Sequence, residues 1–154
     1  VIKYLRYNTR SQIFAKSLPL LIVEGMLKRM EMTITMPELR KNLWDNVERL
    51  QNGLKTRGFD IGNTNSPVTP IYMKGDVPEA TQMVMDLREN YNIFCSIVVY
   101  PVIPKGDIIY RLIPTAAHSF EDIDLTLKAF EETKKKLDIG AYKAADIPNM
   151  AEQF

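Results

Sequence analysis

The stretch DIIYRLIP carries one side chain that cannot lose its charge, Arg111. Strand alternation puts Ile109, Arg111 and Ile113 on one face and Ile108, Tyr110 and Leu112 on the other. Both faces are otherwise apolar, so the guanidinium is expected in an apolar setting, where an unpaired charge is costly. Its planar fork matches a carboxylate through two parallel hydrogen bonds. Two partners fit that chemistry: a protein Asp or Glu in a structural ion pair, or the carboxylate of a captured ligand.

The other reactive side chains offer less. His118 is the single histidine, and no nucleophile-elbow motif accompanies it. It stands directly before Ser119, an expected helix cap, so it reads as a capping or packing residue. Cys95 is the single cysteine; Phe94 and Ile97 flank it, which reads as a buried, inert thiol. One cysteine makes no internal disulfide, so nothing implies secretion. No spaced ligand cluster argues for a metal, and no glycine-rich loop argues for a phosphate cradle.

Helices and short strands must position these groups. A first helix is expected after AKSLP, capped by Ser17, with Pro19 in its first turn, running to about Met32. Its apolar run from Leu18 to Val23 predicts burial on several sides. A second helix should follow Thr35 as cap, with Pro37 and Glu38 in the first turn. Leu39, Leu43, Val47, Leu50 and Leu54 form its stripe, Trp44 packs beside it, and Gly58 supplies a left-handed stop. Residues 60–67 read as loop and VTPIYM as a strand that Pro70 pushes to an edge. A helix capped by Asp76 follows, with Ala80, Met83, Val84, Leu87 and Tyr91 on its face. IFCSIVVY and DIIYRLIP are strands separated by the turn-rich PVIPKG. Ser119 and Asp122 then form an approximate capping box for a helix whose stripe is Phe120, Ile123, Leu127, Phe130 and Leu137. The fold class is α+β: a small, mostly antiparallel sheet with helices on one face, preceded by two helices.

The chain of 154 residues suits one ordinary domain, and its 45% hydrophobic and 25% charged content is that of a soluble globular protein. A net charge of +1 with no basic stripe gives no reason to expect nucleic acid. No apolar run approaches the ~20 residues that span a bilayer. A cytoplasmic location is the expectation. The chain opens on Val1 without targeting features and is expected to be a fragment or a processed product.

Taken in order, several segments resemble the α-oxoamine synthases. VIPKG, four residues, Arg111 and LIPTAAH match that family's proline-x-glycine loop, arginine-bearing strand and Ala-Ala-His ending before a helix of EDID type. RSQIFAKSLP resembles its phenylalanine-serine-x-serine-leucine-proline segment, and NSPVTPIYM the strand opening its small domain. IIYRLIPTAAH and GAYKAADIPNM look most like serine palmitoyltransferase or 2-amino-3-ketobutyrate CoA ligase type members.

The resemblance implies a homodimeric enzyme using pyridoxal phosphate to condense an amino acid, serine or glycine, with an acyl-CoA and loss of carbon dioxide. It implies that Arg111 holds the substrate carboxylate. It also implies that Ala15 and Lys16 lie near the cofactor phosphate across the dimer, although Ala15 replaces the family's first serine and brings no hydroxyl. Some relatives carry a second arginine two residues upstream, where this chain has Ile109. The family's histidine-serine-phenylalanine-serine-lysine type motif does not occur here, so the chain is expected to be inactive alone. The implied division is 1–34 as the end of a large domain and a connecting helix, 35–140 as a C-terminal small domain, and 141–154 as a tail. The competing expectations are a stand-alone ferredoxin-like module for amino-acid sensing, or a pure dimerisation piece with Arg111 in a salt bridge.

Overall fold

Backbone contacts in the computed structural model, which describes residues 1–15 and 17–143, divide the chain at Pro37 into two units. The first unit holds α1 (Ile2–Asn8), α2 (Arg10–Ile13) and α3 (Leu20–Thr35). The second holds α4 (Pro37–Thr56), β1 (Thr69–Lys74), α5 (Val77–Tyr91), β2 (Ser96–Val98), β3 (Asp107–Leu112) and α6 (Phe120–Asp138). The expected order of strand, helix, strand, strand, helix from residue 68 is therefore present. The sequence pattern missed α1 and α2, which are too short to show a period.

In the second unit, local side chains set the helix ends. Asp76 accepts from the Glu79 N–H while Glu79 accepts from the Asp76 N–H, and Pro78 sits in the first turn of α5. Ser119 and Asp122 make the same reciprocal pair at the start of α6. Beyond the end of α4, Gly58 adopts φ +76°, the left-handed conformation that glycine reaches without strain.

The sheet is antiparallel in the order β1-β3-β2, with Pro70 on an edge strand as expected. The expected strand IFCSIVVY shortens to Ser96–Val98. On one face Ile71, Ile108, Tyr110 and Leu112 join Leu50 and Leu54 of α4, Met83 and Leu87 of α5, and Ile123, Leu127 and Phe130 of α6 in a single core. The rings of Phe59 and Tyr110 both meet Phe130 edge-on, at centroid separations of 6.3 and 6.1 Å. After α6 the chain turns at Gly140, and Tyr142 is buried. Residues 144–154, most of the expected tail, lie outside the described residues.

Four expectations need correction. Ser17 does not cap α3: the N-cap residue is Pro19, and Ser17 stands two residues too early to reach the first free N–H groups. Thr35 does not cap α4. It closes α3, and its hydroxyl donates back to the Glu31 carbonyl at 2.9 Å, a local bond that keeps it helical. The apolar stretch from Leu18 to Val23 is not buried: Leu20 is 70% and Leu21 81% exposed. Leu39 and Phe120 also leave the core. Each stands in the first turn of its helix, and Phe120 lies instead beneath the Arg49 guanidinium, 4.9 Å from its ring centroid.

Candidate functional site

Strand alternation in β3 divides its side chains as expected, but the two faces have different surroundings. Ile108, Tyr110 and Leu112 are buried against the helices, whereas Ile109 is half-buried and Arg111 exposed. The apolar setting expected for Arg111 is thus corrected. Its face of the sheet is not the one the helices cover, so the charge keeps its solvation and no desolvation cost arises in this chain.

The site is a rung of three residues. In the sheet register Arg111 stands opposite Ser96 on β2 and Pro70 on β1. Directly opposed residues share a face, with Cβ atoms about 5 Å apart. Arg111 Nε donates to Ser96 Oγ at 3.0 Å. Pro70 offers no side-chain acceptor. No carboxylate pairs with Arg111 among the described residues, in contrast to Arg49, which grips both oxygens of Asp124 at 2.9 and 2.6 Å. The terminal NH2 groups of Arg111 therefore have no protein acceptor among the described residues, and together they form one of the two guanidinium edges that match a carboxylate. The next rung, Tyr72–Ile109–Val98, is less polar. There Ile109 supplies no second cation.

The remaining candidates separate from this rung. Ala15 is exposed in the irregular link between α2 and α3, in the first unit, while Arg111 belongs to the second. Its backbone N–H is the one donor it can offer to a phosphate. Lys16 lies outside the described residues. His118 has a local role: its Nδ1 accepts from the Thr115 N–H at 3.0 Å, which leaves the proton of the neutral ring on Nε2. Its carbonyl, with that of Thr115, accepts from Asn46 Nδ2 at 2.8 and 3.0 Å. The buried Asn46 was not singled out from the sequence; it ties α4 to the turn that starts α6. Cys95 is buried, and burial pushes its thiol up to about 11, as an inert core residue requires.

A cleft of about 380 Å³ opens beside this unit, lined by Leu50, Phe94, Leu112, Pro114, His118 and Ile123 among others. Arg111 does not line it. The arginine stands on an exposed sheet face with its terminal donors unused by any described protein acceptor. Ser96 is the residue of this site that the sequence reading missed. Its one signal was a hydroxyl in a β-prone run, and that did not reveal its register opposite Arg111.

No family model matches the chain. It is 65% identical over 144 residues to the cysteate-C-fatty acyltransferase of Capnocytophaga ochracea, an alignment covering 94% of this chain and 34% of that protein. It is 33% identical over 139 residues to the serine palmitoyltransferase of Sphingobacterium spiritivorum, covering 90% of this chain and 34% of that one. Its fold superposes on the serine palmitoyltransferase of Sphingomonas wittichii with a TM-score of 0.78 at 24% identity, over 90% of this chain and 35% of the other. The chain spans about a third of the length of the curated relatives it matches.

Proposed function

We propose that this chain, which matches the C-terminal part of the α-oxoamine synthase family, supplies the carboxylate-holding arginine of a larger acyltransferase that joins an amino acid to an acyl-CoA. In that reaction the amino acid's Cα bonds to the acyl carbonyl carbon, the thioester C–S bond breaks to release CoA as its thiol, and the carboxyl group leaves as carbon dioxide. Pyridoxal phosphate, when bound, supplies the electron sink for this chemistry.

The residues of this chain fit a contributory role toward that cofactor. Ala15 offers a backbone N–H in an exposed link and no hydroxyl, and the family's lysine motif is absent from the chain. Arg111 binds and orients: its free terminal donors hold the carboxylate so that Cα is presented to the thioester, which removes rotational freedom before the bond forms. Ile109 adds only an apolar wall.

The single observation that carries the substrate class is the 65% identity to a cysteate-C-fatty acyltransferase across nearly the whole chain. On that ground the amino acid is cysteate and the acyl donor a long-chain CoA thioester. The serine and long-chain thioester implied by the sequence resemblance are the second reading, supported by the 33% identity to a serine palmitoyltransferase. The product is a long-chain amino ketone in both cases, sulfonated in the first and a sphingolipid-type precursor in the second. The whole protein acts as a cytoplasmic homodimer, with Ala15 and Lys16 near the cofactor phosphate of the partner subunit. The residue division given above, 1–34, 35–140 and 141–154, belongs to the same proposal. The stand-alone sensing or dimerisation module is not favoured, since the relatives are acyltransferases about three times the length of this chain.

The test is thiol release by the whole, cofactor-loaded protein with palmitoyl-CoA and cysteate, serine, glycine or alanine in turn. Cysteate is expected to give the highest kcat/KM. A preference for serine would replace the first reading with the second, and no release with any amino acid would overturn both. Arg111→Lys is expected to raise the amino-acid KM by on the order of tenfold to a hundredfold, because a bidentate charged pair becomes a single point contact. Residues 1–154 alone are expected to release no CoA.

A further inference from the structure

We infer that Ser96 is a positioning residue for Arg111, fixing which edge of the guanidinium is offered to the substrate carboxylate. The inference rests on the reading of Arg111 given above and extends it to a residue that touches no substrate. Arginine has two edges that can hold a carboxylate in parallel hydrogen bonds: one formed by Nε and a terminal nitrogen, the other by both terminal nitrogens. Here Nε already donates to Ser96 Oγ at 3.0 Å. The side edge is therefore occupied, and the carboxylate must approach end-on.

Three features make the contact a device rather than an accident of a long side chain. Ser96 is the first residue of β2 and pairs directly with Arg111 across the ladder, so the backbone sets their separation. The opposite neighbour, Pro70, carries no competing acceptor. Among the described residues no acid draws the guanidinium elsewhere. A side chain with several free torsions is thus held in one plane before substrate arrives, and that ordering cost is removed from the binding step.

The experiment uses the whole, cofactor-loaded protein and measures KM for the amino acid, KM for palmitoyl-CoA and kcat for Ser96→Ala, Ser96→Thr, Arg111→Lys and Ser96→Ala combined with Arg111→Lys. Ser96→Ala is expected to raise the amino-acid KM by about threefold to tenfold, the effect of one hydrogen bond. The palmitoyl-CoA KM and kcat should stay within about twofold, since the interaction acts on binding the amino acid. Ser96→Thr, which keeps the hydroxyl, should restore the amino-acid KM. In the Arg111→Lys background, Ser96→Ala should change nothing further, because lysine has no Nε–H edge to hold. An unchanged KM in Ser96→Ala beside a raised one in Arg111→Lys would overturn the role of Ser96 and leave Arg111 standing. An unchanged amino-acid KM in Arg111→Lys would overturn the reading of Arg111 itself. Parallel losses in both KM values that Ser96→Thr fails to rescue would show a purely structural serine and overturn the inference.

Discussion

Tyr110 and Tyr142 both bury a phenol, and among the described residues only Tyr142 finds a hydrogen-bond partner for it. The Tyr142 hydroxyl donates to the Asp86 carboxylate, which also accepts from Lys136 Nζ at 2.8 Å and from Asn90 Nδ2 at 2.7 Å. The Tyr110 hydroxyl is buried beneath the sheet with no hydrogen-bond partner among the described residues. Removing a satisfied hydroxyl costs about 1 kcal/mol, whereas removing an orphaned one relieves its desolvation. Tyr142→Phe is therefore expected to lower stability by about 1 kcal/mol, and Tyr110→Phe to leave it unchanged or raise it by up to about 1 kcal/mol. Urea unfolding of the two variants decides the matter, and matching losses would contradict the assignment. Asp86 makes the first contact pH-dependent. Burial pushes its carboxyl up, but the bonds from Lys136, Tyr142 and Asn90 outweigh that and leave it below the usual carboxylate value. A depressed folded pKa gives stability that is present above the unfolded carboxylate's value, about 4, and is lost as pH falls through the lower folded value. The stability gap between the native chain and Asp86→Asn is expected to close as unfolding is followed from about pH 6 down to about pH 3. A gap that stays constant would show that the carboxylate's charge is not what ties Tyr142 down.

At the scale of elements, the crossing of α4 over α6 depends on Gly53. A Cβ at that position would run into the Leu127 side chain, including Cγ at 3.2 Å, and Leu127 is buried and cannot swing aside. Gly53→Ala raises helix propensity by about 1 kcal/mol, yet overpacking costs about 1–3 kcal/mol, so a net loss of stability is expected in thermal unfolding. A higher Tm would show that the two helices part without cost. Features written in neighbouring side chains were legible from the sequence: the Asp76 cap, the Ser119 box, the stop at Gly58, and the inner stripe of Val47, Leu50 and Leu54. Each needs only residues within one turn to decide it. What the sequence withheld depends on distant surfaces. Alternation sorted Arg111 from Tyr110 but did not say which face the helices would cover. Thr35 looked like a cap, and it lost that role because the preceding helix ran three residues further than expected. Ser96 became part of the site only through the β2–β3 register, which is set across the intervening PVIPKG turn.

At the scale of the whole molecule, burial is uneven between the two units. None of the described residues of Val1–Pro37 is buried, while the second unit holds the entire core. Among the described residues no helix is long and apolar enough to cross a membrane, and most of the large apolar side chains of α3 are exposed. A sixteen-residue helix with no buried residue is marginal in water, since nucleation is costly and most helix stability in proteins comes from packing one face. Gly25 lowers its propensity further. Hydrogen exchange on residues 1–154 is therefore expected to reveal two regimes. Amides of Leu20–Thr35 should exchange within about tenfold of unstructured-peptide rates, whereas those of Ile108, Tyr110 and Phe130 should follow global unfolding. In the longer protein proposed above, the amides of α3 should slow by on the order of a hundredfold or more, because its exposed leucines and methionines then acquire a surface to pack against. Equal protection of α3 and β3 in residues 1–154 would show that this helix is stable without such a cover.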